Sequence, residues 1–184
     1  MGQQVLQRIL QWARGARQAH WNVPAKSIGG RTRSGTTRVL SAGRVLALSC
    51  TLGAGGAHAE DFVVRMLDVS PDGPLSFEPG FVKAKVGDTL VFSPSSKGHT
   101  TESLLVPDGA KPWKSGYDTE TRITLETEGV YIYGCEAHLR MGMVGVVQVG
   151  QPVNLDLATA FAKAESAHFV MNKDRLSNEL ARVR

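Results

Sequence analysis

The stretch YGCEAHLRMGMVGVV, residues 133–147, decides the fold because it places three candidate metal ligands between two β-type segments. Cys135 ends the first segment, His138 follows three residues later, and Met143 stands eight residues after the cysteine, where the next segment begins. A single loop can therefore bring a thiolate, an imidazole and a thioether to one point. This set of donors predicts a metal site.

A second imidazole is needed to complete such a site, and His99 and His168 are the other histidines after residue 60. His99 lies in a polar loop that follows a β-type segment, whereas His168 belongs to a helical stripe in the tail. Loops from distant strands gather at one end of a sandwich, so position and elimination both favour His99. Two histidines, a cysteine and a weak axial methionine form the ligand set of electron-transfer copper sites. The sequence predicts one copper ion, cycling between Cu⁺ and Cu²⁺, on His99, Cys135, His138 and Met143.

Cys135 is the single cysteine after residue 60, so an internal disulfide framework is excluded for that part of the chain. Its thiol is exposed and reactive, is paired between molecules, or is committed to a metal. Zinc is the alternative metal, but structural zinc prefers closed sets of cysteine and histidine, and this chain offers three good zinc ligands. Copper is therefore favoured.

Short β-type segments lie on both sides of the ligand loop, and each one ends in turn-forming residues. They cover residues 62–67, 77–85, 89–92, 121–125, 129–133 and 143–149. Several short strands at this spacing are typical of an antiparallel sandwich or barrel. We expect an all-β, Greek-key sandwich over residues 60–150.

The tail, residues 151–184, changes to a composition rich in Ala, Leu, Lys and Glu. A stripe with helical spacing predicts one helix, and it consists of Leu157, Phe161, Ala164 and His168. Residues 172–174 resemble a helix cap, and Leu176, Leu180 and Val183 follow at helical spacing. We therefore expect two short C-terminal α-helices packed on the sandwich.

Charge separates the first 59 residues from the rest. They hold eight of the 21 Lys and Arg residues and no acidic residue. From Glu60 onward there are therefore 13 basic and 17 acidic side chains, a net charge of −4. The basic pI of about 9.3 is thus a property of the leader. It gives no support for a nucleic-acid partner.

Residues 38–59 have the pattern of a secretory signal, with basic residues, an apolar run at 45–52 and a final Ala57-His58-Ala59. We expect cleavage after Ala59 and a periplasmic protein. The apolar run is too short to span a bilayer, and the residues before Cys50 make a poor lipoprotein signal. Residues 1–38 form an N-terminal extension without clear periodicity, and initiation at Val39 would leave an ordinary signal.

From residue 60 to residue 184 the chain resembles a cupredoxin, and specifically the pseudoazurin family. The matching motifs are EDF at 60–62, ML at 66–67, FEP at 77–79, KGH at 97–99, PDG at 107–109 and MGMVGVVQVG at 141–150. Two C-terminal helices also distinguish pseudoazurins from plastocyanin and amicyanin. The resemblance implies a type 1 copper on the four ligands named above and an electron carrier rather than an enzyme.

The resemblance also assigns the axial ligand. In these families the axial methionine stands two residues before the glycine that opens the last strand, which fits Met143 and Gly145. Met141, to which a shorter amicyanin loop would point, is then a neighbour packing over the site. The chain departs from pseudoazurins at Thr100, where they usually carry Asn, and at 136–137, where they carry Thr-Pro. The hydrogen bond between the two ligand loops, and with it the reduction potential, is left open.

By the same resemblance, electrons leave through the ring edge of His138, inside an apolar patch rimmed by cations that steer acidic partners. The candidate docking residues are Leu75, Lys97, Pro107, Lys111, Lys114, Leu139, Arg140 and Met141. The implied partners are a copper nitrite reductase and a c-type cytochrome, met transiently by a monomer. A periplasmic copper chaperone or storage protein is the alternative function. An oxidase would need further copper sites, for which only His168 remains.

Overall fold

The computed structural model describes residues 58–184. The predicted leader, with Val39, Cys50 and the apolar run, lies outside these residues except for His58 and Ala59. The strands of the described part are β1 Asp61–Ser70, β2 Gly73–Glu78, β3 Phe81–Ala84, β4 Thr89–Pro94, β5 Glu102–Leu105, β6 Thr121–Thr124, β7 Gly129–Gly134 and β8 Val144–Val149. The helices are α1 Leu155–Ser166 and α2 Arg175–Leu180.

The strands form two four-stranded sheets, in the orders β2-β1-β4-β6 and β3-β8-β7-β5. The expected sandwich is confirmed, but its strands are not all antiparallel, because β1 pairs with β4 and β3 with β8 in parallel. Each parallel pair joins strands whose connection passes through the other sheet. The predicted segment 77–85 is two strands, interrupted at Pro79 and Gly80, and β5 was not predicted.

Burial explains why β7 and β8, apart from Gln148, lack polar residues at alternate positions. All residues of both strands are buried, because their sheet is covered on both faces. Tyr131, Tyr133 and Val147 join the core between the sheets. Val130, Ile132 and Val146 face the opposite way, into a second apolar cluster that includes residues of both helices.

The helices cover the outer face of the second sheet, as expected, and Leu157 and Phe161 of the predicted stripe pack, partly buried, against its apolar cluster. The rest of the first helix differs from the predicted stripe. Its buried residues are Ala158 and Ala162, whereas Ala164 and His168 are exposed and His168 lies beyond the end of the helix. Leu176 and Leu180 of α2 are buried as predicted. Within residues 58–184, neither helix has the length and hydropathy needed to cross a membrane.

Candidate metal centre

The loop between β7 and β8 carries Cys135, His138 and Met143 and is closed by its own backbone. Cys135 N–H donates to the carbonyl of Met143 at 3.0 Å, and Met143 N–H donates to the carbonyl of His138 at 3.2 Å. A 3₁₀ turn, Leu139–Met141, fills the space between them and ends at Gly142, which has φ +71°. A Cβ at Gly142 would lie 2.9 Å from the carbonyl oxygen of Met171, so this turn requires glycine.

His99 reaches the same point from the loop between β4 and β5. Asp118 fixes that loop, because its Oδ1 accepts the N–H groups of Gly98 and His99 at 2.8 and 3.2 Å, and its own N–H donates to the carbonyl of His99 at 2.9 Å. The loop delivers the His99 ring into the interior, where it is fully buried. The sequence did not indicate Asp118.

The structure brings three of the four predicted ligands to one point. The donor atoms of His99, Cys135 and His138 lie within 4.8 Å of one another, and Cys135 Sγ is 3.5 Å from Nδ1 of His138. Met143, at the end of the same loop, is fully buried. Of these four side chains, only His138 is partly exposed.

His99 provides the test of whether a metal fits. Its Nε2 lies 3.0 Å from Asp68 Oδ1, whereas its Nδ1 is buried without a hydrogen-bond partner among the described residues. A carboxylate only accepts, so Nε2 carries the proton and Nδ1 presents a lone pair. Buried polar atoms are rarely left without a partner, and a carboxylate behind a ligating imidazole is the usual support of a metal-bound histidine. A metal ion held by His99, Cys135 and His138 would account for this orphan atom.

Electrostatics also favour the ligating form of His138. Burial lowers the pKa of its imidazole, the nearby His99 lowers it further, and Asp68 acts in the opposite direction. The neutral ring, which is the form that binds a metal, is therefore preferred over the imidazolium.

Thr100 takes the place of the asparagine that pseudoazurins carry. Its N–H lies 3.4 Å and its Oγ1 3.7 Å from Cys135 Sγ, and its Oγ1 accepts the N–H of Glu136 at 3.0 Å. One threonine therefore joins the two ligand loops and surrounds the sulfur with donors. Thr100 therefore makes the hydrogen bonds between the two ligand loops that the sequence left open.

The candidate docking residues do not all lie near His138. Leu139, Arg140 and Met141 belong to its loop, and Lys97 is exposed beside His99. Leu75 is near because Arg175 binds the carbonyls of both Leu75 and Gly142. Lys114 is held by Glu102 at 3.2 Å and Glu136 at 2.9 Å, and its pKa is raised, mainly by the hydrogen bond to Glu136.

Lys111 and Pro107 are placed elsewhere. Lys111 pairs with Glu126. The neighbouring Leu125 donates its N–H to the carbonyl of Asp88, which directly precedes β4. The ligand loop of His99 follows the other end of β4. Pro107 packs against Gly129 at the start of β7, whereas Cys135 follows the end of that strand. Both residues therefore lie at the sandwich end opposite the metal centre, and the expectation that they line the docking patch was wrong.

A two-sheet β-sandwich that collects histidine, cysteine, histidine and methionine from two loops at one end defines a cupredoxin. Comparison with known proteins agrees, since residues 64–150 match the family described as copper binding proteins, plastocyanin/azurin family. Pseudoazurin of Paracoccus pantotrophus is 37% identical over 123 residues, which are 65% of this chain and 81% of that protein.

Solved structures give the same result. The native pseudoazurin of Hyphomicrobium denitrificans has a TM-score of 0.61 at 38% identity and covers 67% of this chain and 98% of its own. Pseudoazurin from Methylobacterium extorquens AM1 has a TM-score of 0.59 at 33% identity, with 67% and 99% covered. The chain belongs to the pseudoazurin family. It is accordingly a copper-binding electron-transfer protein and not an enzyme.

Proposed function

We propose that this protein is a periplasmic carrier of single electrons, with one copper ion held by His99, Cys135, His138 and Met143. The observation that carries the proposal is the orphan Nδ1 of buried His99, which shares one point with a buried thiol and a second imidazole. Copper bound by such a set supplies a one-electron couple. The two closed loops hold the donors in place, which keeps rearrangement between the oxidation states small.

His138 is the proposed route for electrons, because it is the ligand that extends from the buried site toward solvent. Leu139 and Met141, both half-buried beside it, would exclude water from a contact with a partner. Leu75 is linked to the same loop through Arg175. We call these three residues and His138 the docking patch. A small apolar patch of this kind suits brief contacts.

Charge at the rim of the docking patch comes mainly from Lys97 and Arg140. Both are exposed, and neither has an ion-pair partner among the described residues, whereas the charge of Lys114 is offset by two carboxylates. The rim would steer acidic partners. We propose a copper nitrite reductase and a c-type cytochrome as acceptor and donor, met by a monomer, with secretion directed by residues 38–59.

The test is copper titration of the chain that begins at Glu60, beside its Cys135→Ala variant. We expect the unchanged protein to bind one Cu²⁺, to acquire an intense visible band and to lose its titratable thiol. The variant should remain colourless while keeping the fold seen by circular dichroism. A colourless wild-type protein with a free thiol would overturn the proposal. Copper bound without a thiolate band would favour the chaperone or storage function instead.

A further inference from the structure

The guanidinium of Arg175, the first residue of α2, lies between the ligand loop and the β1–β2 turn. The residue is 8% exposed. Nη1 donates to the carbonyls of Leu75 at 2.6 Å and Gly142 at 2.8 Å. Nη2 donates to the carbonyls of Asp72 at 3.1 Å and Pro74 at 3.0 Å. A single buried cation therefore joins the backbone on one side of the docking patch to the residue that precedes Met143.

The segment before Arg175 contacts the same loop. Asn172 Nδ2 donates to the carbonyl of Met141 at 2.8 Å and to that of Pro74 at 3.2 Å. Val170 N–H donates to the carbonyl of Arg140 at 2.8 Å. Three consecutive carbonyls of the ligand loop, those of residues 140, 141 and 142, are thus bound by residues 170–175.

These contacts add to the backbone hydrogen bonds that the loop makes within itself. The 3₁₀ turn contains no fully buried residue, and of its side chains Leu139 packs, partly buried, against the second apolar cluster. The next residue, Gly142, has a left-handed conformation that the Met171 carbonyl approaches closely. Since Met143 directly follows Gly142, any rotation of this peptide moves the thioether.

We propose that Arg175, assisted by Asn172, is a positioning residue for Met143, fixing the thioether relative to the other three ligands. The C-terminal helices then have a second role besides covering the sheet, because α2 delivers this guanidinium to the metal centre. The proposal rests on the proposed copper ligands. Its fork of donors matters, since the guanidinium binds four carbonyls, one more than the three N–H groups of a lysine ammonium can serve.

The experiment compares Arg175→Gln, Arg175→Lys and Asn172→Gly with Arg182→Gln as the matched control. Arg182 follows the same helix, pairs with Glu179 at 2.9 Å and lies over the Phe81 ring, so the control removes the same charge without touching the loop. Asn172 has φ +45°, a conformation that glycine adopts freely, so its variant removes the amide without backbone strain. If Arg175→Gln fails to fold, Asn172→Gly alone decides the question.

Two readouts separate positioning from plain stability. In the copper-loaded protein, we expect Arg175→Gln and Arg175→Lys to change the rhombicity of the paramagnetic resonance spectrum and the relative intensity of the two thiolate-to-copper bands. Asn172→Gly should cause a smaller change of the same kind. In the apo-protein, amide exchange at residues 139–143 should accelerate at least about tenfold in Arg175→Gln, because local opening no longer breaks the charged bonds. Arg182→Gln should change neither readout.

A melting temperature that falls while the spectra and loop exchange stay unchanged would overturn the proposal and leave Arg175 with a stabilising role only. A wild-type spectrum in Arg175→Lys would overturn the need for a fork of donors. If wild-type protein itself gives no copper spectrum, the proposed function fails, while amide exchange in the apo-protein still decides whether Arg175 holds the loop.

Discussion

Asp68 Oδ1 lies 3.0 Å from Nε2 of His99, although 31 positions separate the two residues in the chain. The parallel pairing of β1 with β4 explains this contact, because both strands run toward the same end of the sandwich and Met66 stands opposite Pro94. The His99 ring is fully buried, whereas the Asp68 side chain is 62% exposed. One carboxylate at the surface therefore orients a ligand in the interior and places a negative charge behind it.

Asp68→Asn should raise the reduction potential of the copper. Asparagine keeps an acceptor for Nε2–H but removes a negative charge that favours Cu²⁺ over Cu⁺. Because Asp68 is largely solvated, the effect should be about 0.5–1 kcal/mol, a few tens of millivolts for one electron. Voltammetry measures it.

Asp68→Ala removes the acceptor as well as the charge, so copper affinity should fall by about 10–100-fold. Asp61→Asn is the control, since it removes the same charge at the start of β1, beside Arg122. Equal shifts in Asp68→Asn and Asp61→Asn would mean that only overall charge is measured and that the Asp68 contact has no special part.

The axial assignment predicts different results for the two methionines of the ligand loop. Met143 is fully buried, whereas Met141 is half-buried at the surface. Met143→Leu should raise the potential by tens of millivolts, because the axial thioether is one of the groups that set it. Met141→Leu, with the same change of side chain, should leave the potential nearly unchanged. A larger shift in the Met141 variant would transfer the axial role to Met141.

The sequence predicted the ligands because their spacing is local, and it missed the groups that support them because their contacts are not. Cys135, His138 and Met143 share one loop, so sequence order alone implies their proximity. Asp68 contacts His99 only because β1 and β4 are parallel, which an alternating pattern cannot reveal. Arg175 stands in a short polar stretch whose sequence resembles an ordinary exposed helix start, and only the docking of α2 against the ligand loop buries it. Lys111 was misplaced because a charge in a loop carries no information about which end of the sandwich that loop occupies.

Thr100 provides a hydroxyl that contacts both the Cys135 sulfur and the Glu136 backbone. Thr100→Val keeps the shape and the backbone N–H of Thr100 but leaves the Glu136 N–H without its acceptor, which should destabilise the apo-protein by about 1 kcal/mol. A thiolate with fewer donors favours Cu²⁺, so the potential should fall. Thr100→Ser retains the hydroxyl and should retain both properties. Unchanged melting temperature and potential in Thr100→Val would show that the hydroxyl supports neither the loop nor the sulfur.

The docking patch predicts that the position of a charge, and not the net charge of the protein, determines the association rate with the partner. Lys97→Glu with Arg140→Glu reverses one charge beside His99 and one in the loop of His138, so stopped-flow association with an acidic copper nitrite reductase should slow by about tenfold or more at low salt, and less as salt is added.

The control for this prediction reverses charge away from the patch. Lys111→Glu changes an exposed lysine that pairs with Glu126 at the opposite end of the sandwich. At about 0.1–0.15 M ionic strength its association rate should remain within about twofold of wild type, because charges beyond a Debye length of about 8–10 Å are then largely screened. The reduction potential of each variant is measured as well, so that a change in driving force can be distinguished from a change in docking. The same logarithmic slowing per reversed charge in the two variants would mean that net charge alone steers the partner, and the docking patch would lose its support.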